Sequence, residues 1–199
     1  MIDNKHYSQG VILASSSAYR RSLLERLGLA FRTWAPEVDE AALPGEAPAQ
    51  TATRLARAKA NAAAERWPQS WIIGSDQVAD VEGRAVGKPG TLENARRQLR
   101  ELSGRTVRFH TALAVVHGAR ARVHERLVTT PVVFRHLDDA EIERYLAREH
   151  VLDCAGSAKS EGLGISLLAR LGGDDPTALV GLPLIALCEV LRGEGFELP

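Results

Sequence analysis

The sequence predicts an α/β protein in which helices flank a long central sheet. Two short apolar runs, Val11 to Ala14 and Trp71 to Gly74, are typical of strands that are buried on both faces. The alanine-rich stretch from Pro48 to Arg66 lies between them and predicts a long helix. Two longer stretches, Thr106 to Val116 and Val123 to Phe134, predict successive long strands. Together these elements indicate a mixed sheet with helices packed against it.

Length and charge restrict the classes of function. A chain of 199 residues corresponds to one domain, or to two small lobes around one cleft. Apolar residues make up 45% of the chain, which is ample for a core. The net charge of zero argues against broad, non-specific binding of nucleic-acid polymers, but it is compatible with a single bound nucleotide.

The lack of a recognisable targeting signal and the apolar surroundings of the cysteines predict a cytoplasmic protein. No stretch approaches the roughly 20 apolar residues of a membrane span. Residues Met1 to Gln9 are polar and do not have the pattern of a secretory signal peptide. Cys154 and Cys188 lie among apolar residues, which predicts buried, reduced thiols. No spacing of His and Cys indicates zinc.

The stretch from Gly10 to Leu27 predicts a strand, a serine turn and a helix. Ser17 is placed to cap the helix N-terminus, where unpaired N–H groups and a partial positive charge attract anions. Ser15 and Arg20 would add donors at the same place, which predicts a phosphate site. The alternative on these residues alone is a serine-capped helix with its arginines in solvent.

Acidic residues follow the second predicted strand, Ala30 to Trp34. Glu37, Asp39 and Glu40 supply three carboxylates within four positions, a donor set suited to a hard divalent cation. The alternative is a solvated acidic loop.

Lys59 lies between alanines in the helix from Pro48 to Arg66. The small neighbours would let this helix pack close to the sheet, so that Lys59 reaches past the sheet edge. The alternative is an ordinary surface lysine.

The buried strand from Trp71 to Gly74 leads directly to Asp76. An acid at the carboxyl end of such a strand lies where α/β sheets bind ligands. The segments Val78 to Val81 and Arg84 to Val86 predict a hairpin that folds Lys88 back towards Asp76. The alternative role for Asp76 is a cap, although no helix follows it.

The rest of the chain predicts three helices and one more strand. These are a helix from Leu92 to Leu102, a helix from the Asp138 and Glu141 capping box to about Glu149, a strand from Ile165 to Leu171, and a helix after Gly181-Leu182-Pro183. The segment from Asp153 to Gly164 is rich in small residues, so its backbone could approach a ligand closely.

In chain order, these stretches resemble the Maf-type nucleoside triphosphate pyrophosphatases. The matching motifs are Leu13-Ala-Ser-Ser-Ser-Ala-Tyr-Arg-Arg21, Glu37-Val-Asp-Glu40, Ala58-Lys59-Ala60, Gly74-Ser-Asp76-Gln77, Gly87-Lys88-Pro89, Leu102-Ser-Gly104, Ala155-Gly156, Glu161-Gly-Leu-Gly164 and Val180-Gly-Leu-Pro-Leu184. Each motif is weak alone, but the ordered set is specific. The resemblance implies one domain over residues 1–199, with two lobes of a mixed, twisted sheet around a nucleotide cleft. It also implies release of pyrophosphate from a nucleoside triphosphate, a divalent cation (Mg²⁺ or Mn²⁺) and a homodimer.

Within this family, the chain is most similar to the branch that acts on 7-methyl-GTP. Tyr19, Gln77 and Glu161 carry this similarity, because the branch acting on dTTP and UTP has arginine, threonine and glutamine there. The 7-methyl-GTP branch usually has a proline and a tryptophan where this chain has Ala18 and Tyr19. Methylation of N7 gives guanine a fixed positive charge, which an aromatic face and a carboxylate both favour.

The resemblance also implies the role of each site residue. Asp76 would be the general base that activates water, although the sequence cannot distinguish this role from metal binding. Glu37 and Glu40 would hold the metal. Lys59 and Lys88 would stabilise developing charge. Ser15, Ser17 and Arg20 would bind the phosphates, and Tyr19, Gln77 and Glu161 the base.

Two other functions are compatible with the sequence. One is a pyrophosphatase for dTTP and UTP or of broad specificity. The other is a non-catalytic nucleotide-binding regulator, for instance of cell division. Because every candidate chemical residue is present, the catalytic hypotheses are favoured.

Overall fold

The structure is a computed structural model that describes residues 10–198, so the prediction for Met1 to Gln9 lies outside the described residues. Its elements are β1 (Val11–Leu13), α1 (Ala18–Glu25), β2 (Phe31–Thr33), α2 (Pro48–Arg66), β3 (Trp71–Val81), β4 (Arg84–Val86), α3 (Leu92–Leu102), β5 (Thr106–His117), β6 (Arg122–Phe134), α4 (Asp139–Leu146), β7 (Leu168–Leu171) and α5 (Leu184–Gly193). Within the described range, no helix combines the length and the apolar character that a membrane crossing requires.

The strands form one mixed sheet, as the sequence predicts. Its order is β2-β1-β3-β5-β6-β7, and β4 pairs with β3 beside this path. The strands β2, β1 and β3 run parallel, whereas β5, β6 and β7 continue from β3 in antiparallel fashion. Helices cover both faces, so the predicted α/β class is confirmed.

One face of the sheet carries two apolar clusters with polar side chains between them. The first cluster includes Ile73 of β3 and packs against α1 and α5. The second includes Ala79 of β3 and packs against α3 and α4. Ser75 and Gln77 lie between these positions on the same face of β3, and Thr111 of β5 pairs with Gln77. This polar band separates two lobes that share one sheet.

The structure corrects the predicted end of the strand before Asp76. β3 does not stop at Gly74 but continues to Val81, because β5 pairs with it over residues 72–80. The parallel neighbour β1 ends earlier, where Leu13 pairs with Ile73. Asp76 therefore lies inside a long strand but just beyond the end of the parallel part of the sheet.

Three smaller predictions also differ from the structure. Residues Leu163–Leu167 form a 3₁₀ helix, so only the second half of the predicted strand is extended. Helix α4 ends at Leu146, with its Asp138–Glu141 capping box as predicted. Both cysteines are free thiols but are only partly buried.

On the opposite face, α2 packs closely against β3 at Gly74. A Cβ atom at this position would overlap the carbonyl oxygen of Ala56 and would lie 2.8 Å from the backbone nitrogen of Ala60. Since neither neighbour is a flexible side chain, this contact requires glycine on the strand and small residues on the helix.

We expect Gly74→Ala to destabilise the protein by about 1–3 kcal/mol, because the added methyl group overpacks the contact between helix and strand. Urea unfolding measures this change. Gly193→Ala is the matched control, since no atom lies within 4 Å of a Cβ added there. Equal stability of the two variants would contradict the close contact.

Candidate active site

An ion pair between α2 and β3 forms the centre of the candidate site. Lys59 Nζ lies 2.7 Å from Asp76 Oδ1. Both residues are buried, with 7% of each exposed. The close approach of α2 to Gly74 brings the lysine within reach of the strand. The alternative of an ordinary surface lysine is therefore wrong.

Glu40 brings a second carboxylate to the same ammonium group. Its Oε1 lies 2.6 Å from Lys59 Nζ, and 57% of its side chain is exposed. The hydrogen bond from Lys59 lowers the pKa of Glu40, opposed by desolvation and assisted by the charges of Lys88 and Arg20. The charge of Lys88, which follows the β3–β4 hairpin, thus acts on Glu40, and its approach to Asp76 stays a prediction. Glu37 is exposed in the same loop.

The turn between β1 and α1 forms the predicted serine cap. Ser17 Oγ accepts a hydrogen bond from the Arg20 backbone N–H at 3.3 Å, which closes the N-terminus of α1. Ser15 Oγ accepts from the Ser17 backbone N–H at 3.1 Å and from Arg20 Nη1 at 3.3 Å. Two hydroxyls and a guanidinium therefore meet at a helix N-terminus, an arrangement suited to phosphate.

Arg20 is anchored by a carbonyl group far away in the chain. Its Nε donates to the Gly181 carbonyl oxygen at 2.9 Å. Ser75 Oγ lies 2.9 Å from the same oxygen. Gly181 has a φ of 119°, which favours glycine. Burial lowers the pKa of Arg20, whereas the charges of Asp76 and Glu40 raise it.

Asp175 fixes the segment that presents Gly181. Its Oδ1 accepts from the Thr177 hydroxyl at 2.6 Å, and its Oδ2 accepts from the Ile185 backbone N–H at 2.8 Å. The Thr177 hydroxyl oxygen in turn accepts from the Leu184 backbone N–H at 2.8 Å. Asp175 and Thr177 thus cap the first backbone N–H groups of α5. The sequence patterns gave Asp175 and Ser75 no role, because their partners are far away in the chain.

Gln77 braces the polar band between the two lobes. Its Nε2 lies 2.9 Å from Thr111 Oγ1, and 3.0 and 2.9 Å from the carbonyl oxygens of Ala178 and Leu179. Its amide nitrogen is therefore committed to the protein. Direct contact of Gln77 with a base stays a prediction.

Tyr19 lies in the first turn of α1, against the small-residue segment from Asp153 to Gly164. Its hydroxyl is 4.0 Å from Cys154 Sγ, and its ring centre is 5.3 Å from Lys159 Nζ. Burial raises the pKa of Tyr19. Burial and the neighbouring Asp153 raise the pKa of the Cys154 thiol to about 11, and Glu161 contributes in the same direction. Glu161 is exposed in the same segment, and its contact with a base stays a prediction.

A gap in strand pairing opens the sheet at this place. Pairing of β3 with β1 ends at Ile73, and pairing with β4 begins at Ala79. Between these points, residues 74–78 have no neighbouring strand on that side in the part of the chain that is described. Asp76 lies in this gap.

Within the described residues, neither a ready metal cluster nor the cavity beside α2 coincides with the site. Over residues 10–198, no group of three or more His, Cys, Asp or Glu side chains is placed to hold a metal ion. A cavity of about 660 Å³ lies beside α2 and includes Leu43, Arg54 and Leu127, but not Lys59 or Asp76.

Known proteins resemble this chain over nearly its whole length. The family model of Maf-like proteins matches residues 10–194. A 7-methyl-GTP pyrophosphatase of Xanthomonas campestris pv. campestris (strain 8004) is 59% identical over 95% of this chain and 98% of its own. One of Aromatoleum aromaticum is 58% identical over 95% and 97%. A solved HAM1 protein from Coxiella burnetii is 18% identical, with a TM-score of 0.44 over 63% of this chain and 73% of its own.

We expect Lys59→Met to destabilise the protein by about 3–5 kcal/mol, because it leaves the buried Asp76 without its cation. Adding Asp76→Asn to this variant should restore part of the loss, since the orphaned charge is then removed. Urea unfolding of the two single variants and the double variant gives the coupling energy. Strict additivity of the two losses would contradict a buried, coupled pair.

Proposed function

The chain belongs to the family of Maf-like proteins, and we propose that it hydrolyses 7-methyl-GTP to 7-methyl-GMP and pyrophosphate. The names of its relatives support the substrate. The observation that carries the chemistry is the convergence of Asp76 and Glu40 on Lys59, in the pairing gap beside the serine cap.

In this proposal the serine cap binds the phosphate chain. Ser15, Ser17 and Arg20 offer hydroxyl and guanidinium donors next to the free N–H groups of α1. The anchoring of Arg20 by Gly181 fixes the guanidinium before the substrate arrives. Such preorganised donors stabilise charge in the transition state without reorganisation.

Asp76 acts as the general base. Its carboxylate orients the attacking water in line with the α-phosphorus and takes a proton from it, while pyrophosphate leaves. Lys59 holds this carboxylate at 2.7 Å and supplies positive charge to the transferred group. Lys88 stabilises the charge that develops on the departing pyrophosphate.

We propose Mg²⁺ or Mn²⁺ as the cofactor, with Glu40 and Glu37 as protein ligands. Support comes from the chemistry of the donors: the carboxylate of Glu40 lies beside that of Asp76, since both are within 2.7 Å of the Lys59 nitrogen, and Glu37 is exposed in the same loop as Glu40. Mg²⁺ is often held by one or two carboxylates together with substrate phosphates and water. When bound, the cation would neutralise charge on the phosphate oxygens.

The methylated base would lie beside Tyr19 and Glu161. An aromatic ring and a carboxylate both interact more strongly with a cationic purine than with neutral guanine. Gln77 holds the segment at residues 178–179, and its contact with the base is part of the same proposal.

We further propose that the chain is one domain that acts in the cytoplasm as a homodimer. One sheet shared by both apolar clusters supports a single domain. The dimer rests on the family resemblance alone.

We expect Asp76→Asn to lower turnover of 7-methyl-GTP by about 10²-fold or more, the usual scale for a lost general base. Substrate affinity, measured by calorimetry, should change little because the phosphate donors remain. The exposed Asp174→Asn is the matched control. Near-normal turnover of Asp76→Asn would remove this residue from the chemistry.

We expect Glu161→Gln to lower kcat/KM for 7-methyl-GTP by an amount that corresponds to about 1 kcal/mol or more of lost transition-state stabilisation. The effect on kcat/KM for GTP should be smaller, because only the methylated base carries a positive charge. Pyrophosphate release is measured with 7-methyl-GTP, GTP, dTTP and UTP, and the exposed Glu65→Gln serves as the control. A wild type that prefers dTTP or UTP would contradict the proposed substrate. An unchanged ratio of 7-methyl-GTP to GTP would contradict the role of Glu161.

A further inference from the structure

The face of Tyr19 that is proposed to receive the base already has a cation beside it. Lys159 Nζ lies 5.3 Å from the centre of the Tyr19 ring, within the range of a cation–π interaction. The same ammonium lies 3.2 Å from Glu149 Oε1, in a partly buried ion pair. Lys159 is thus held between a carboxylate and an aromatic ring.

Three further contacts hold this part of the chain in place. The Lys159 backbone N–H donates to the Tyr145 hydroxyl at 3.1 Å. A Cβ at Gly164 would lie 2.5 Å from both the nitrogen and the oxygen of the Lys159 backbone, so only glycine permits this packing. Glu149 Oε2 accepts from the Leu163 backbone N–H at 2.8 Å. The backbone that places the Lys159 ammonium beside Tyr19 is therefore held by hydrogen bonds and close packing.

The charge of Lys159 persists at neutral pH. Burial acts to lower its pKa, but the hydrogen bond to Glu149 and the neighbouring Tyr19 raise the pKa to about 12. Asp153 and Glu161 are the other charged groups that act on this neighbourhood.

We propose that the Lys159 ammonium is a resident cation that competes with the nucleotide base for the face of Tyr19. This inference rests on the proposed function, because it takes Tyr19 as the base-binding ring. A base that stacks on the side of Tyr19 where Lys159 lies must displace the ammonium, and Glu149 keeps the displaced ammonium paired. Only a positively charged base replaces the lost cation–π contact with one of its own. Lys159 therefore lowers the affinity of the site for every base, whereas Tyr19 and Glu161 determine which base is preferred.

Calorimetric titration with 7-methyl-GMP and GMP tests this proposal, because these ligands report on the base subsite without turnover. Lys159→Met keeps the length and apolar stem of the side chain but removes the charge. We expect it to bind both ligands about three- to tenfold more tightly, the scale of a lost competing cation–π contact. Lys159→Arg retains a cation and should bind like the wild type. Arg170→Met, an exposed change of the same charge, controls for net charge.

Unchanged or weaker binding by Lys159→Met would overturn the proposal, as would tightening for 7-methyl-GMP alone, since the ammonium would then remain beside the bound base. Lys159→Gln provides a second neutral variant if Lys159→Met does not fold. Pyrophosphate release from 7-methyl-GTP by the wild type is measured in parallel. Its absence would refute the proposed function, whereas the titrations decide the competition separately.

Discussion

The buried ion pair between Lys59 and Asp76 is the interaction on which the site depends. Two charges can be held away from water only if each is closely matched by its partner. The match requires α2 to lie almost in contact with β3, which Gly74 and the facing alanines permit. Glu40 is positioned by the same lysine, because its carboxylate pairs with Lys59. Packing between a helix and a strand thereby determines where charge collects.

A second constraint joins the two lobes across the polar band. The segment before α5 is held at Asp175, and its carbonyl groups bind Arg20, Ser75 and Gln77. The phosphate-binding turn and the middle of β3 are therefore fixed by the same short segment. Loss of the Asp175 contacts would therefore loosen Arg20, Ser75 and Gln77, although Asp175 touches none of them, because the segment that it holds binds all three.

Local rules were sufficient for much of the fold. The Ser17 cap, the bounds of α2 and the capping box of α4 depend on neighbouring residues, and the structure has them as predicted. Long-range pairing decided the rest. β3 continues past Asp76 because β5 pairs along it, and no local pattern contains that information. The same limit applies to Asp175 and to the position of Lys159 over Tyr19, since both depend on segments that meet only in the folded chain.

In the proposed mechanism, water attacks the α-phosphorus of 7-methyl-GTP at Asp76. The most direct test is hydrolysis in water enriched in the heavy oxygen isotope, followed by mass spectrometry of both products. Attack at the α-phosphorus places the heavy oxygen in 7-methyl-GMP and leaves none in pyrophosphate. Heavy oxygen in pyrophosphate, or release of orthophosphate in its place, would show that water attacks a different phosphorus and would refute the proposed mechanism.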